Sequence, residues 1–300
     1  MQRSDAAPAL WVKRDDLSAP LLGGNKVRAL EYLLAGVGSH DVVLTVGGRG
    51  STHALSTVLH AHRLGARAAV VRWGQEMNDA AHLVAQRLAR EADHVQDART
   101  VAGAYIRALA ARAAARLRGH ALHWVPAGGT TPLGILGHVG AALELAAQVE
   151  EGLLPEPARI VVPLGTGGTA AGLALGVAIA GLRTRIVGAR VVPRIVANRR
   201  RVLALAERTA RVIERASRTG GQEALVPRPA RSAVRVAHLA YGGAYGRETP
   251  AARDASARFS RAHPDCRLDT TYSAKAFAVA LATCDGKPTV FWLTFDGRWL

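Results

Sequence analysis

Short apolar runs alternate with longer stretches of helical periodicity along most of the chain. Val42-Val43-Leu44-Thr45-Val46 is almost wholly apolar and ends in Gly47-Gly48, which predicts a strand buried on both faces. From Ser51 to Leu64 the apolar positions recur at helical spacing until Gly65 stops them, which predicts a helix. The same alternation predicts strands at 68–71, 123–125, 159–163 and 185–192. It predicts helices at 78–92, 100–117, 133–149, and from the glycine loop after 163 to about 180. Strands that alternate with helices imply an α/β protein, its parallel sheets covered by helices on both faces. Thr219 to Ser232, rich in Gly, Pro and Arg, reads as a surface loop. No internal repeat and no low-complexity tail interrupts the pattern.

Composition changes this picture little. The 300 residues are 49% hydrophobic, enough for one large domain or two smaller ones. No window holds the roughly 20 uninterrupted apolar residues of a membrane span, so no membrane partner is expected. The opening MQRSDAAPAL has no apolar signal core, so no export signal is expected. Cys266 and Cys284 form no metal-ligand pattern and suit a reducing, cytoplasmic setting. The histidines show no ligand spacing either, and no metal is expected.

The formal charge of +16 is carried almost wholly by arginine, since Lys13, Lys26, Lys275 and Lys287 are the only lysines. Between Arg183 and Arg235 stand fourteen arginines against Glu207, Glu214 and Glu223, a net +11. That stretch has the charge to attract nucleic acid. It contains no aromatic residue to stack a base and no recognised binding module, so a coding bias toward arginine explains it better.

The first chemical signal is the run Ile160-Val161-Val162-Pro163-Leu164-Gly165-Thr166-Gly167-Gly168-Thr169-Ala170, a strand, a turn and a helix start. Glycines let a backbone approach a ligand closely, and the free N–H groups of a helix start point at an anion. A P-loop is excluded, because no lysine follows the loop. NAD is disfavoured, because no acid stands between Glu156 and Glu207 to meet a ribose. NADP stays open through Arg190. A compact phosphate cofactor such as pyridoxal phosphate needs only the loop, and a turn without a ligand stays open too.

Pyridoxal phosphate requires a lysine. Lys287 precedes a proline, Lys275 lies in a helical stretch, and Lys13 sits in the charged run Lys13-Arg14-Asp15-Asp16, where ion pairs are expected. Lys26 follows Leu21-Leu22-Gly23-Gly24-Asn25 and opens a helix from Val27 to Leu34. A helix N-terminus and partial burial both disfavour its ammonium, which suits an amine that must attack an aldehyde. On these residues alone an ordinary first-turn lysine remains the alternative.

The runs Trp11-Val12-Lys13-Arg14-Asp15-Asp16-Leu17 and Gly23-Gly24-Asn25-Lys26-Val27-Arg28-Ala29-Leu30-Glu31-Tyr32-Leu33 resemble the opening of the 1-aminocyclopropane-1-carboxylate deaminase and D-cysteine desulfhydrase family. The similarity continues through Gly47–His53, 126–145, 160–173, Gly243–Pro250 and 269–276. The resemblance implies a two-domain, tryptophan-synthase β-like (fold type II) pyridoxal-phosphate enzyme with parallel twisted sheets. It implies a large domain, 1–35 with 149–300, a smaller inserted domain, 36–148, a cofactor in the cleft between them, and a homodimer acting on a small amino acid. It assigns Lys26 to the covalent attachment, with Asn25, Thr52 and the loop Gly165, Thr166, Gly167, Gly168 and Thr169 around the cofactor. Ser51 matches a serine over the cofactor face. Gly50, Ser51, Thr52 and His53 match the substrate-carboxylate loop. Tyr245 and Tyr272 match two active-site tyrosines, and Ser273 falls where the partner of the pyridine nitrogen is expected.

Ser273 divides the family. A glutamate there protonates the ring and supplies the electron sink that opening a cyclopropane needs, whereas a hydroxyl leaves a weaker sink. The resemblance therefore implies β-elimination to a 2-oxo acid and ammonia, like a D-cysteine desulfhydrase. β-Replacement or cyclopropane ring opening are alternatives within the family. The rivals outside it are an NADP-binding oxidoreductase and a basic binding protein on a decayed scaffold. Several residues depart from the pattern: Gly50 and Thr52 replace Gln and Asn, Ala29 replaces a frequent lysine, and the stretch 293–297 lacks His-Thr-Gly-Gly. The chain also enters the pattern late, so an N-terminal segment is expected to be missing.

Overall fold

The computed structural model describes residues 1–119, 121–295 and 297–299. Asp296, within the departing stretch 293–297, lies outside them. The strands are β1 (Gln2–Arg3), β2 (Leu10–Arg14), β3 (Val42–Gly48), β4 (Arg67–Trp73), β5 (His94–Ala98), β6 (Leu122–Val125), β7 (Arg159–Leu164), β8 (Arg185–Arg190), β9 (Val234–Ala237) and β10 (Thr289–Leu293). The helices are α1 (Asn25–Leu33), α2 (Thr52–Arg63), α3 (Asp79–Glu91), α4 (Val101–Leu117), α5 (Pro132–Glu150), α6 (Gly168–Ile179), α7 (Arg199–Thr219), α8 (Pro250–Ala262) and α9 (Ser273–Thr283).

Two sheets result. One has the order β5-β4-β3-β6 and is parallel throughout. The other has the order β1-β2-β10-β7-β8-β9 and is parallel except where β1 meets β2. Both are covered on their two faces, which is why their strands lack a polar side. In β7, Ile160, Val162 and Leu164 face a core shared with α5, α6 and α7, while Val161 faces Phe259 of α8 and Phe277 of α9. In β3, Val43 packs with α1, α2 and α3, while Leu44 and Val46 pack toward α4.

Two packing relations cut across the sequence order. Helix α5 falls within 36–148, yet its Ile135, Val139 and Leu145 are buried with Ile160 and Leu173 of the larger sheet's core. Helix α1 precedes 36, yet its Leu30 joins Val43 and Leu55 in the smaller sheet's core. The strand β2 replaces what reads in sequence as a charged run. Lys13 pairs with Glu144, Arg14 with Asp16, and Asp15 with Arg28 while accepting from Trp292 Nε1 at 2.7 Å. Neutralisation within these pairs lets Lys13, Asp15 and Asp16 be buried in the fold. Helix α5 is long and apolar enough to cross a bilayer by length and composition, but half of it is buried in this core. The stretch 219–232 is mostly irregular, as expected, although its Val226 reaches into the larger core and Arg228 pairs with Glu207 and Glu214.

Candidate active site

In both sheets the loops that follow the strands converge. Those after β3, β4, β6, β7, β8 and β10 all contribute to one cavity of about 550 Å³. Ligands of parallel sheets bind at such carboxyl ends.

Lys26 stands on the cavity wall, the only one of the four lysines that does. Gly24, at φ +146°, caps α1 from a bridge to Phe295, and Asn25 N–H donates to Thr294 O at 3.0 Å, so the first turn of α1 is anchored from β10. Lys26 Nζ makes no hydrogen bond or ion pair among the described residues. Burial lowers its pKa from 10.5 to about 8, against an opposing pull from Asp269. The other lysines are accounted for elsewhere: Lys13 is ion-paired, Lys275 is buried and donates to Tyr241 O at 3.4 Å, and Lys287 is exposed.

On the same cavity wall, Gly167 takes the left-handed conformation, φ +97°, that starts α6. The N–H groups of Thr166, Gly167, Gly168 and Thr169 have no acceptor among the described residues. The loop is braced on both sides. Asn25 Nδ2 donates to Thr169 Oγ1 at 2.8 Å, and the Thr130 and Thr166 hydroxyls share a bond of 2.5 Å. Close packing against Gly128, where a Cβ would lie 2.5 Å from Thr166 Oγ1, completes the cup. Arg190, the residue that kept NADP open, is not on the wall but lies over the Tyr241 ring at 5.5 Å.

A second anion-ready edge is the start of α2. Ser51 Oγ accepts from Ala54 N–H at 3.2 Å, so the serine expected to face the cofactor also caps the helix. The N–H groups of Thr52 and His53 have no acceptor among the described residues. Ser51, Thr52 and His53 line the cavity, while Gly50 does not: a Cβ there would meet Ala81 Cβ at 2.5 Å, so its smallness serves the packing of α3. His53 Nε2 meets Thr45 Oγ1 at 3.1 Å, and burial, with Lys26 nearby, lowers its pKa to about 3.

Tyr245 and Tyr272 are on the wall, their rings 5.9 Å apart and edge-on, their hydroxyls joined by a short hydrogen bond. Burial raises the pKa of both, that of Tyr272 the more, which keeps both phenols protonated near neutral pH. Ser273 begins α9 just behind Tyr272. It is fully buried, off the wall itself, and its Oγ has no partner. The sequence assigned no role to Asp269, whose carboxylate accepts from Tyr272 N–H at 2.7 Å and Ser273 N–H at 3.0 Å and faces the cavity. An acid four positions before a helix start was the available signal. Trp73, Gln75, Glu76 and Tyr105 also line the wall, and no local motif marks them. Among the described residues no group of three His, Cys, Asp or Glu side chains is placed to hold a metal ion.

These residues fit pyridoxal phosphate: an unpaired, easily deprotonated lysine, a cup of free amides for a phosphate, and a buried hydroxyl that lacks a partner. A family model described as pyridoxal-phosphate dependent enzyme matches residues 2–294. The chain is 37% identical to a nocardicin C-9′ epimerase of Nocardia uniformis subsp. tsuyamanensis, over 96% of this chain and 86% of that one. It is 32% identical to a D-cysteine desulfhydrase of Salmonella paratyphi B, over 65% of this chain and 61% of that one. The crystal structure of an ACC deaminase homologue superimposes with a TM-score of 0.74 at 30% identity, covering 96% of this chain and 84% of that one.

Proposed function

The chain belongs to the family of pyridoxal-phosphate dependent enzymes, and from that membership we propose that it removes a substituent from Cβ of a small amino acid, giving a 2-oxo acid and ammonia, as a D-cysteine desulfhydrase does. The observation that carries the reading is Lys26, unpaired on the wall of the cavity that the free amides of the Gly165–Thr169 loop also line. When bound, pyridoxal phosphate withdraws electrons from the Cα of an attached amino acid. The chain supplies the rest. The amides of Thr166 to Thr169 would hold the phosphate. The Lys26 amine would hold the cofactor and would serve as the base for the Cα proton. The amides of Thr52 and His53 receive the substrate carboxylate. The Tyr245–Tyr272 hydroxyl pair donates a proton to the departing Cβ group. Ser273 would meet the pyridine nitrogen with a neutral hydroxyl and would add no charge to the cofactor ring, which favours expulsion of a β-leaving group over opening of a cyclopropane. The reading keeps the units 1–35 with 149–300 and 36–148, and a homodimer.

A second reading is epimerisation at Cα, supported by the Nocardia relative, whose match spans nearly the whole chain. Both outcomes begin with loss of the Cα proton. They part according to whether Cβ carries a leaving group and whether the proton returns on the other face. The test is one panel of cysteine, β-chloroalanine, O-acetylserine, alanine and 1-aminocyclopropane-1-carboxylate, each chiral member in both enantiomers, in D₂O. Release of 2-oxo acid from the β-substituted alanines is expected. Deuterium uptake with loss of optical purity and no 2-oxo acid would favour epimerisation. Fast turnover of the cyclopropane with inert β-substituted alanines would overturn the role given to Ser273.

A further inference from the structure

Position 50 carries no side chain able to meet a substrate, and Gly50 itself is packed against α3. The neighbouring strand supplies an amide in its place. Gln75, just after β4, lines the cavity beside Gly47, Gly48 and Ser51. It lies over Gly48 so closely that a Cβ there would sit 1.9 Å from Gln75 Oε1. Only glycine at 48 leaves the amide this room. Gln75 Oε1 is buried and has no partner, and the Nε2 end makes one long bond, 3.5 Å to Glu76 O. An amide with its buried end unpaired is costly, and the cost falls away when a ligand group pairs with it. Rotation of the amide exchanges its oxygen and nitrogen within one outline, so the buried end is able to present a donor. The same cavity is lined by Thr52 and His53, whose free N–H groups are donors at a helix N-terminus.

We infer that Gln75 is a specificity-determining residue, donating from its side-chain amide to the α-carboxylate of the amino-acid substrate in the room that Gly48 leaves. The inference rests on the reading of this cavity as an amino-acid site. It makes a free carboxylate on Cα a requirement of the substrate, recognised from two strands: from β3 by the start of α2 and from β4 by Gln75.

The experiment uses the cofactor-loaded protein and two probes, alanine and alaninamide, which differ in the carboxylate. Binding is followed as the change in cofactor absorbance, apart from turnover. The wild-type protein should bind alanine at least tenfold more tightly than alaninamide. In Gln75→Ala alanine should lose about tenfold and alaninamide little. Gln75→Glu, which sets a carboxylate against a carboxylate, should lose more. Gly48→Ala, which displaces the amide without altering it, should reproduce Gln75→Ala. With a turned-over substrate the same variants should raise KM and leave kcat within about threefold. Unchanged alanine binding in both Gln75→Ala and Gly48→Ala overturns the inference while leaving the proposed function intact. A wild-type protein that takes up cofactor yet binds neither probe overturns the reading of the cavity, and the inference with it.

Discussion

At the scale of single residues, the site depends on groups that burial has set without an internal partner. Lys26 is held near pKa 8 mainly because burial disfavours its ammonium, with Asp269 pulling the other way. Its neutral fraction therefore grows as pH rises toward about 8 and changes little well above it. The rate at which cofactor-free protein captures pyridoxal phosphate should rise about tenfold from pH 6 to 7 and flatten above 8. Stopped-flow absorbance would measure this, and a midpoint near the free-lysine value of 10.5 would count against it. Borohydride should then fix the label on Lys26, and Lys26→Ala should abolish turnover. Ser273 gives a prediction with opposite signs in two states. With no partner for its buried hydroxyl, Ser273→Ala should leave the cofactor-free protein equally stable or about 1 kcal/mol more stable. The same change should weaken cofactor binding several-fold, read by absorbance titration. Loss of stability without cofactor, and unchanged affinity with it, would remove Ser273 from the site.

At the scale of elements, helix starts provide the anion-binding edges. Ser51 caps α2 through Ala54 N–H, leaving the amides of Thr52 and His53 free to meet a carboxylate. Ser51→Ala should therefore cost about 1 kcal/mol of stability as a lost cap. It should also raise KM for the amino acid, because the first turn that orients those amides frays. Ser51→Asp restores a cap acceptor but places a charge beside the substrate carboxylate. It should recover the thermal midpoint while KM stays high, and recovery of both would reduce Ser51 to a cap. Both elements were legible in sequence: Ser51 opens an apolar-periodic helix after Gly47-Gly48, and Gly165-Thr166-Gly167-Gly168 separates a strand from a helix. Elements with charged or short runs were not. In β2 the Lys13-Arg14 pair hides a strand, because the partners that permit its burial, Glu144 and Asp16, are settled by folding.

At the scale of the whole molecule, one side chain ties the two sheets together at the cavity. Asn78 caps α3 with Oδ1, accepting from Ala81 N–H at 2.8 Å. Its Nδ2 reaches Gly246 O, Thr270 Oγ1 and Thr271 Oγ1 at 3.1 to 3.2 Å, on the two segments that carry Tyr245 and Tyr272. The Glu76–Arg247 pair crosses the same seam. Asn78→Asp keeps the cap but sets a carboxylate oxygen against the Gly246 carbonyl and removes the donor that joins it to the two threonine hydroxyls. Turnover should fall about tenfold or more with stability nearly unchanged, whereas Asn78→Ala should lose both. Measuring kcat beside the thermal midpoint distinguishes these outcomes, and full activity in Asn78→Asp would refute the role.

The sequence by itself determined the alternation of strands and helices, the glycine loop and the family, and it singled out Lys26 as the candidate lysine. Those features are local: apolar period, glycine at a turn and a lysine at a helix start are written in consecutive residues. Only the tertiary structure decided that α5 serves the larger sheet's core and that Gly50 is a packing residue. Only it decided that Asp269, Gln75 and the two tyrosines share a wall with Lys26. In parallel sheets each crossover returns the chain in the same direction, so every loop after a strand reaches the same edge whatever its distance in sequence. The company a side chain keeps there is set by strand order, β5-β4-β3-β6 and β1-β2-β10-β7-β8-β9, and no run of neighbouring residues records it.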